Sequence, residues 1–263
     1  MTVMLSPDLL DRRALALLRL IDVTGRPVSE LVLVHGEGVR SVRKKDGLIA
    51  ILEAAGFEDY CASFSTPSSP AVGSTHVQLD LEPVTAELCP RRFDLALPRN
   101  GDPTKAGEPS SLFSPSSIEM LPGGGARLSG SACAIRTTVR RRSDKKLIQN
   151  ALIRGQSADE KFEARGVTDP RGQAVLIFPS LPLSFPGAGA NVRSDLDARV
   201  VVTVDLASAR FNAPGDIPRM ARAEPPFADP DALASAAVDF SSGAPVTIGA
   251  GREVSLNLEW SKP

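Results

Sequence analysis

Apolar and polar residues alternate with a period of two along much of this chain. In residues 76–82, Val77, Leu79 and Leu81 fall on one side and His76, Gln78, Asp80 and Glu82 on the other. Residues 92–97 repeat the pattern, with Phe93, Leu95 and Leu97 set against Arg92, Asp94 and Ala96. Later, Val200, Val202, Val204 and Leu206 alternate with Val201, Thr203 and Asp205, and Val254, Leu256 and Leu258 with Ser255, Asn257 and Glu259. Successive side chains of a strand point to opposite faces, so this period predicts half-buried antiparallel strands. FEDYCASF, KKLIQNALIRG, EKFEARGVTD and GQAVLIFPSLPL add strand candidates, every one short. One helical turn is expected in DPDALASAAV, where an Asp in an N-cap-like position precedes helix-tolerant Ala.

Two turns punctuate the strands. GVTDPRGQAVLIFPSLP (166–182) reads as a tight hairpin: Asp169 and Pro170 open the turn, and Gly172 supplies its left-handed residue. VRKKDGLIAIL (42–52) carries the Asp46-Gly47 pair, a strong hairpin signal. The segments around these turns align. TGRPVSELVLV (24–34) matches SDKKLIQNALIR (143–154), and KKDGLIAIL (44–52) matches TDPRGQAVLIF (168–178). Asp46, Gly47, Asp169, Pro170 and Gly172 are therefore the fold-specifying turn residues of two related units.

Between the halves, residues 100–125 are rich in Pro, Gly and Ser, as in an extended connector, and Gly123-Gly124-Gly125 reads as a flexible joint. The expected layout is an N-terminal segment (1–13), a first β-sandwich (14–99), this linker (100–125) and a second sandwich (126–263) with a long Pro-rich insertion. The fold class is all-β, with two antiparallel sandwiches of immunoglobulin- or transthyretin-like type.

Composition fits that reading. Aromatic residues are scarce at 5%, with one Trp and one Tyr, so the cores must be built from Val, Leu, Ile and Ala. Gly (21) and Pro (22) suit many turns. A net charge of -1 gives no pull toward nucleic acid or anionic membrane. The one basic run, Arg140-Arg141-Arg142 with Lys145 and Lys146, lies at an expected turn without an aromatic platform and reads as a solvated loop. No stretch approaches the length of a membrane span, so no membrane insertion is expected. The N-terminal residues do not read as a secretory signal, and Cys61, Cys89 and Cys133 match no metal or disulfide spacing. The expected location is the cytoplasm, or a particle released on lysis.

Catalytic signatures are missing. Tyr60, His35 and His76 exhaust the chain's Tyr and His, too few for the tyrosine- and histidine-bound iron of intradiol dioxygenases. No G-x-S-x-G occurs, since LSGSACA lacks the trailing glycine. The carboxylate pairs Asp80/Glu82 and Asp195/Asp197 are what remains for a hydrolase. No catalytic residue, cofactor or metal ligand is assigned, and the protein is read as a non-enzyme. An excess of Pro-rich loops dotted with apolar residues points instead to protein partners. Leu181, Leu183 and Phe185 in one such loop, and Phe211, Ile217, Met220 and Phe227 in another, are candidate contacts, unless the loops fold back over their own sandwich. An alternative is a carbohydrate- or peptide-binding module, which would use the rings of Phe57, Tyr60, Phe227 and Trp260.

LIQNALIR…GVTDPRGQAVLIF, and more loosely RPVSELVLV…KKDGLIAIL, resemble carboxypeptidase-regulatory-like and related transthyretin/immunoglobulin-type sandwich modules. Those modules share a fold rather than a function. The first half departs from the pattern, carrying Lys-Asp-Gly in place of the Thr-Asp-x-x-Gly turn. The order of DVTGRP (22–27), PRRFDLALPR (90–99), SLFSP (111–115) and the second module is similar to accessory structural proteins of extracellular, phage-tail-like contractile injection systems. That resemblance implies a structural subunit or adaptor whose partners are other protein subunits of a multi-subunit assembly.

Overall fold

The computed structural model describes residues 14–44, 46–62, 69–127, 132–179, 181, 195–215, 217, 224–235 and 244–261. The chain is all-β. Its strands are β1 (Ala16–Ile21), β2 (Val32–His35), β3 (Arg40–Arg43), β4 (Leu48–Glu53), β5 (Thr75–Pro83), β6 (Arg91–Leu97), β7 (Ser116–Glu119) and β8 (Cys133–Arg141). They continue as β9 (Leu147–Gln149), β10 (Leu152–Ser157), β11 (Glu163–Val167), β12 (Gln173–Phe178), β13 (Leu196–Thr203), β14 (Arg210–Asn212), β15 (Ala244–Ile248) and β16 (Glu253–Trp260). Among the described residues two short α-helices interrupt them, α1 (Glu58–Ala62) and α2 (Pro230–Ser235). FEDYCASF, expected as a strand, thus holds a helical turn whose Tyr60 and Cys61 are buried. The turn in DPDALASAAV forms as expected. The Asp229 carboxylate accepts from the backbone N–H of Asp231 and Ala232 at 3.0 and 3.2 Å.

Among the described residues the strands form four sheets, ordered β3-β4-β1-β7, β2-β5-β6, β11-β10-β13-β15 and β12-β8-β9-β14, with β16 joining β8 in the last. Contacts divide the chain into two compact units. One comprises residues 1–19, 36–78 and 94–118, the other residues 20–35, 79–93 and 119–263. Within the first, β4 pairs antiparallel with β1 and with β3, and Leu15, Leu18, Ile49 and Ile51 are buried. The β3–β4 turn is the expected hairpin: Gly47 has φ +79°, and Asp46 accepts from the Leu48 N–H at 3.2 Å.

In the second unit, two sheets enclose a core of Ile135, Val139, Ile153, Leu176, Phe178, Val200, Val202 and Trp260, among others. Each such side chain contributes about 1.5–3 kcal/mol by leaving water. The GVTDPRG turn departs from expectation. Its flanking strands do not pair with each other: β11 pairs with β10 in one sheet, and β12 pairs with β8 in the other. The turn is an arch between sheets rather than a hairpin. Gly166 allows the close approach, since a Cβ there would lie 2.7 Å from the Val175 carbonyl oxygen. KKLIQNALIRG is likewise two strands, β9 and β10, in different sheets. The break falls at Asn150, which has φ +66°. Gly123 does not behave as a joint. Its N–H donates to the Glu87 carbonyl at 2.9 Å, and a Cβ would lie 2.4 Å from the Ala86 oxygen.

The pairing plan of the two halves repeats. β1 pairs antiparallel with β4 as β8 does with β12, and β2 pairs antiparallel with β5 as β10 does with β13. One difference concerns the strand beside β2. β11 joins β10, whereas β3 joins β4.

Candidate functional site

That difference leaves β2 at the end of its sheet. It pairs with β5 through Val32↔Pro83, Leu33↔Glu82, Val34↔Leu81 and His35↔Asp80. The Val84 N–H donates to the Leu31 carbonyl at 3.1 Å, which fixes the phase of the ladder. In an antiparallel ladder, hydrogen-bonded and non-bonded pairs alternate. Leu33 and His35 therefore direct their N–H and C=O toward β5, and Val32 and Val34 direct theirs away from it. Pro83, which has no N–H to give, faces Val32 at a non-bonded position, consistent with this phase. Among the described residues no strand pairs with the Val32/Val34 edge.

The side chains along this edge are apolar. Val32 points inward at 4% exposure, while Leu31 (51%), Leu33 (43%) and Val84 (42%) face solvent. Strand edges that stay solitary commonly carry Lys, Pro or a bulge. Residues 31–35, Leu-Val-Leu-Val-His, carry none of these residues.

A second feature anchors the Pro-rich excursion. Arg91 is 1% exposed. Its guanidinium donates to the Glu119 carbonyl and to the Asp231 carboxylate, both at 2.6 Å. Arg165 also binds Asp231, at 3.0 Å, and the Glu119 carboxylate. Burial alone would raise the Asp231 carboxyl, but Arg91 and Arg165 hold it below the usual carboxylate range. Next in the chain, Arg92 grips Asp80 with two hydrogen bonds of 2.8 and 3.0 Å, and its N–H donates to the Ala228 carbonyl. Sequence reasoning missed Arg91, although a signal existed. It falls in phase with the apolar Phe93, Leu95 and Leu97, and an arginine in that phase needs carboxylates around it.

The arch residues act together. The Asp169 Oδ1 accepts from the N–H groups of Arg171 (2.8 Å) and Gln173 (2.9 Å). Burial nonetheless pushes its carboxyl up. The Thr168 hydroxyl accepts from the Ala151 N–H at 2.8 Å, and Asn150 Nδ2 donates to the Ser208 and Pro226 carbonyls at 2.9 and 3.1 Å. Pro170 contributes its carbonyl to Asn212 Nδ2 at 2.9 Å.

The expected contact residues fare differently. Leu181 and Phe227 are 4% and 2% exposed and belong to the interior, which corrects their assignment to a contact surface. Phe211 is half-buried, its ring 6.2 Å from that of Trp260 at a 35° tilt and capped by the Arg141 guanidinium at 4.2 Å. Ile217 is half-buried, and Leu183, Phe185 and Met220 lie outside the described residues. The aromatic platform for a glycan is absent from the rings considered: Phe57, Tyr60, Phe227 and Trp260 are all at most 6% exposed. A stacking surface must meet its sugar face, so that alternative loses its site.

Three of the four candidate strand acids are engaged: Asp80 serves Arg92, Glu82 lies 3.4 Å from His35, and Asp195 lies 3.1 Å from Arg252. His76 hydrogen-bonds Asp94 at 2.5 Å, and both are exposed. Among the described residues no cluster of three or more His, Cys, Asp or Glu is placed to hold a metal, and no helix is long and apolar enough to cross a membrane. An open cleft of about 280 Å³ lies beside the DVTGRP turn, lined by Asp22, Glu30, Glu87 and Arg127 over Val28 and Met120. Asp22 is committed to the turn, accepting from Thr24 Oγ1 at 2.6 Å and from the N–H groups of Thr24 and Arg26.

No family model matches this chain, and no curated protein sequence does. Among solved structures, similarity is found to the Bacillus anthracis TIE protein, at 10% identity and a TM-score of 0.28 over 95% of this chain and 34% of that one. BcpA, the major pilin subunit of Bacillus cereus, is 9% identical with a TM-score of 0.26, over 90% of this chain and 56% of that one. GBS52, a minor pilin of Streptococcus agalactiae, is 9% identical with a TM-score of 0.24, over 94% and 96%. The chain thus spans about a third and about a half of the first two. The functional reading rests on the chain's own strands and edges.

Proposed function

We propose that this protein is a non-enzymatic structural or adaptor subunit that joins other protein subunits through exposed sandwich edges. The observation that carries the reading is the solvent-facing apolar edge of β2, unpaired among the described residues. Its backbone donors and acceptors offer a template for an added strand, and Leu31, Leu33 and Val84 offer apolar surface beside it. In the finer form implied by the sequence resemblance, the assembly is a contractile, tail-like particle, built in the cytoplasm and released on lysis.

Sizing and electron microscopy of native lysate test this reading. The chain is expected in high-mass particles, and the double variant Leu31→Asp/Leu33→Asp, altered only at exposed positions, should leave them. A lone monomer in gently prepared lysate overturns the proposal.

A further inference from the structure

We infer that the open edge of β2 is occupied by the β2 strand of a second copy of this chain, paired antiparallel about a two-fold axis at Leu33. The inference rests on the reading of this edge as a subunit contact and names its partner. In the second half of the chain, β10 is paired on both sides, by β13 and by β11. β2 is its counterpart in the repeated pairing plan, yet among the described residues only the β5 side is filled. The strand that follows β2 pairs with β4 instead, leaving a strand position open.

The edge is complementary to itself. Its outward-directed backbone groups belong to Val32 and Val34, on either side of Leu33. A two-fold axis through Leu33 sets Val32 against the partner's Val34 and Val34 against the partner's Val32, and both pairs exchange N–H···O=C bonds. Leu33 then faces the partner's Leu33 as a non-bonded pair, the arrangement with the closest side chains. Leu31 faces the partner's His35. No like-charged pair is created over residues 31–35, since His35 is the only titratable group among them. On the neighbouring strand, Glu82 stands opposite Leu33 with its carboxylate 3.4 Å from His35, and Asp80, opposite His35, is held by Arg92. The two copies of Leu31, Leu33 and Val84 merge into one apolar surface across the axis. A contact of this length falls short of the roughly 800 Å² per partner of a standard interface, so association is weak for an isolated pair and gains from repetition in an assembly.

The test uses the purified full chain with no other component. Sedimentation over a micromolar to millimolar series should show a monomer–dimer equilibrium. Leu33→Lys and Leu33→Glu should each lose the dimer through like charges at the axis, and an equimolar mixture of the two should restore it. Leu33→Cys should form an interchain disulfide under mild oxidation, because a non-bonded antiparallel pair brings Cα atoms to about 4.5 Å, within disulfide range. Leu31→Cys, equally exposed but facing His35, should crosslink far more slowly. The three native thiols are buried and supply no competing reaction. Wild-type protein that stays monomeric, or single-charge variants that dimerise as well as wild type, would refute the two-fold pairing. So would equal crosslinking at residues 31 and 33. The particle test above is separate: a monomer when pure that still enters high-mass particles in lysate would sink this inference and leave the subunit reading standing.

Discussion

Arg91, hidden from solvent, holds the carboxylate of Asp231 at 2.6 Å across 140 residues of sequence. The same guanidinium caps the Glu119 carbonyl, so one side chain ties β6, the end of β7 and α2 together. Replacing Arg91 with Met keeps the aliphatic stem and removes the donors. We expect a loss of about 2–3 kcal/mol in unfolding free energy, with faster hydrogen exchange at α2. Unchanged exchange at residues 231–235 would show that the helix is held by its apolar contacts instead.

The same contact sets an acid limit. Asp231 is held below its ordinary 3.8 by Arg91 and Arg165 despite burial that pushes the other way. A depressed carboxylate contributes stability above its unfolded value and loses that contribution as pH falls through its folded value. Wild type and Asp231→Asn should therefore differ most near neutrality and converge below pH 3.8. A gap in melting temperature that persists in strong acid would count against the assignment.

Asp169 works in the opposite sense. Its carboxyl is raised, chiefly by burial, so the folded state favours the protonated form, and its contribution to stability declines as pH climbs above 3.8 through the raised value. Both arch bonds use Oδ1, an acceptor that Asn retains. Asp169→Asn should be neutral or stabilising at neutral pH, while Asp169→Ala should cost about 1–2 kcal/mol. Denaturant titration of the two variants separates acceptor from charge.

Two turn glycines make a matched pair. Gly47 and Gly172 both have positive φ, but a Cβ on Gly47 meets nothing within 4 Å, whereas one on Gly172 lies 2.6 Å from the Val139 carbonyl oxygen. Gly47→Ala should cost about 1 kcal/mol from backbone strain alone. Gly172→Val should cost about 3 kcal/mol or more, since strain and overlap with the main chain add. Equal costs would mean that the arch yields to the intruding side chain.

Thiol chemistry reports on the interior. Cys61, Cys89 and Cys133 are buried thiols, and burial together with the Asp169 charge pushes Cys89 up to about 12. Native protein should resist a thiol reagent at neutral pH and react fully once unfolded. Prompt labelling in the native state would contradict this packing.

The period-two pattern was legible because sheet faces are sorted by water. Leu79 and Leu81, and Val200, Val202 and Val204, are buried in the phase their spacing predicts. The turn residues were legible for a related reason, since few residues other than glycine tolerate φ near +66°, the value at Gly172. The partner of each strand was not legible. A tight turn serves a hairpin or an arch equally well, so GVTDPRG cannot declare which sheet receives β12. That choice lies with Gly166, where only a missing side chain lets the arms approach. The β2 edge was invisible for the same reason. Nothing in residues 31–35 announces that β3 pairs elsewhere. Leu181 and Phe227 were misplaced because a Pro-rich loop that folds inward has the composition of one that faces a partner.

The parallel pairing of β16 with β8 joins Glu253 through Trp260 to residues more than a hundred positions earlier in the chain. Until that late segment is synthesised, β8 lacks one neighbour, and the cavity meant for Leu258 and Trp260 stays wet. Such non-local closure slows the search for the native state and prolongs exposure of a sticky intermediate. Nascent chains halted shortly before residue 253 should therefore be held by chaperones far longer than those released after it.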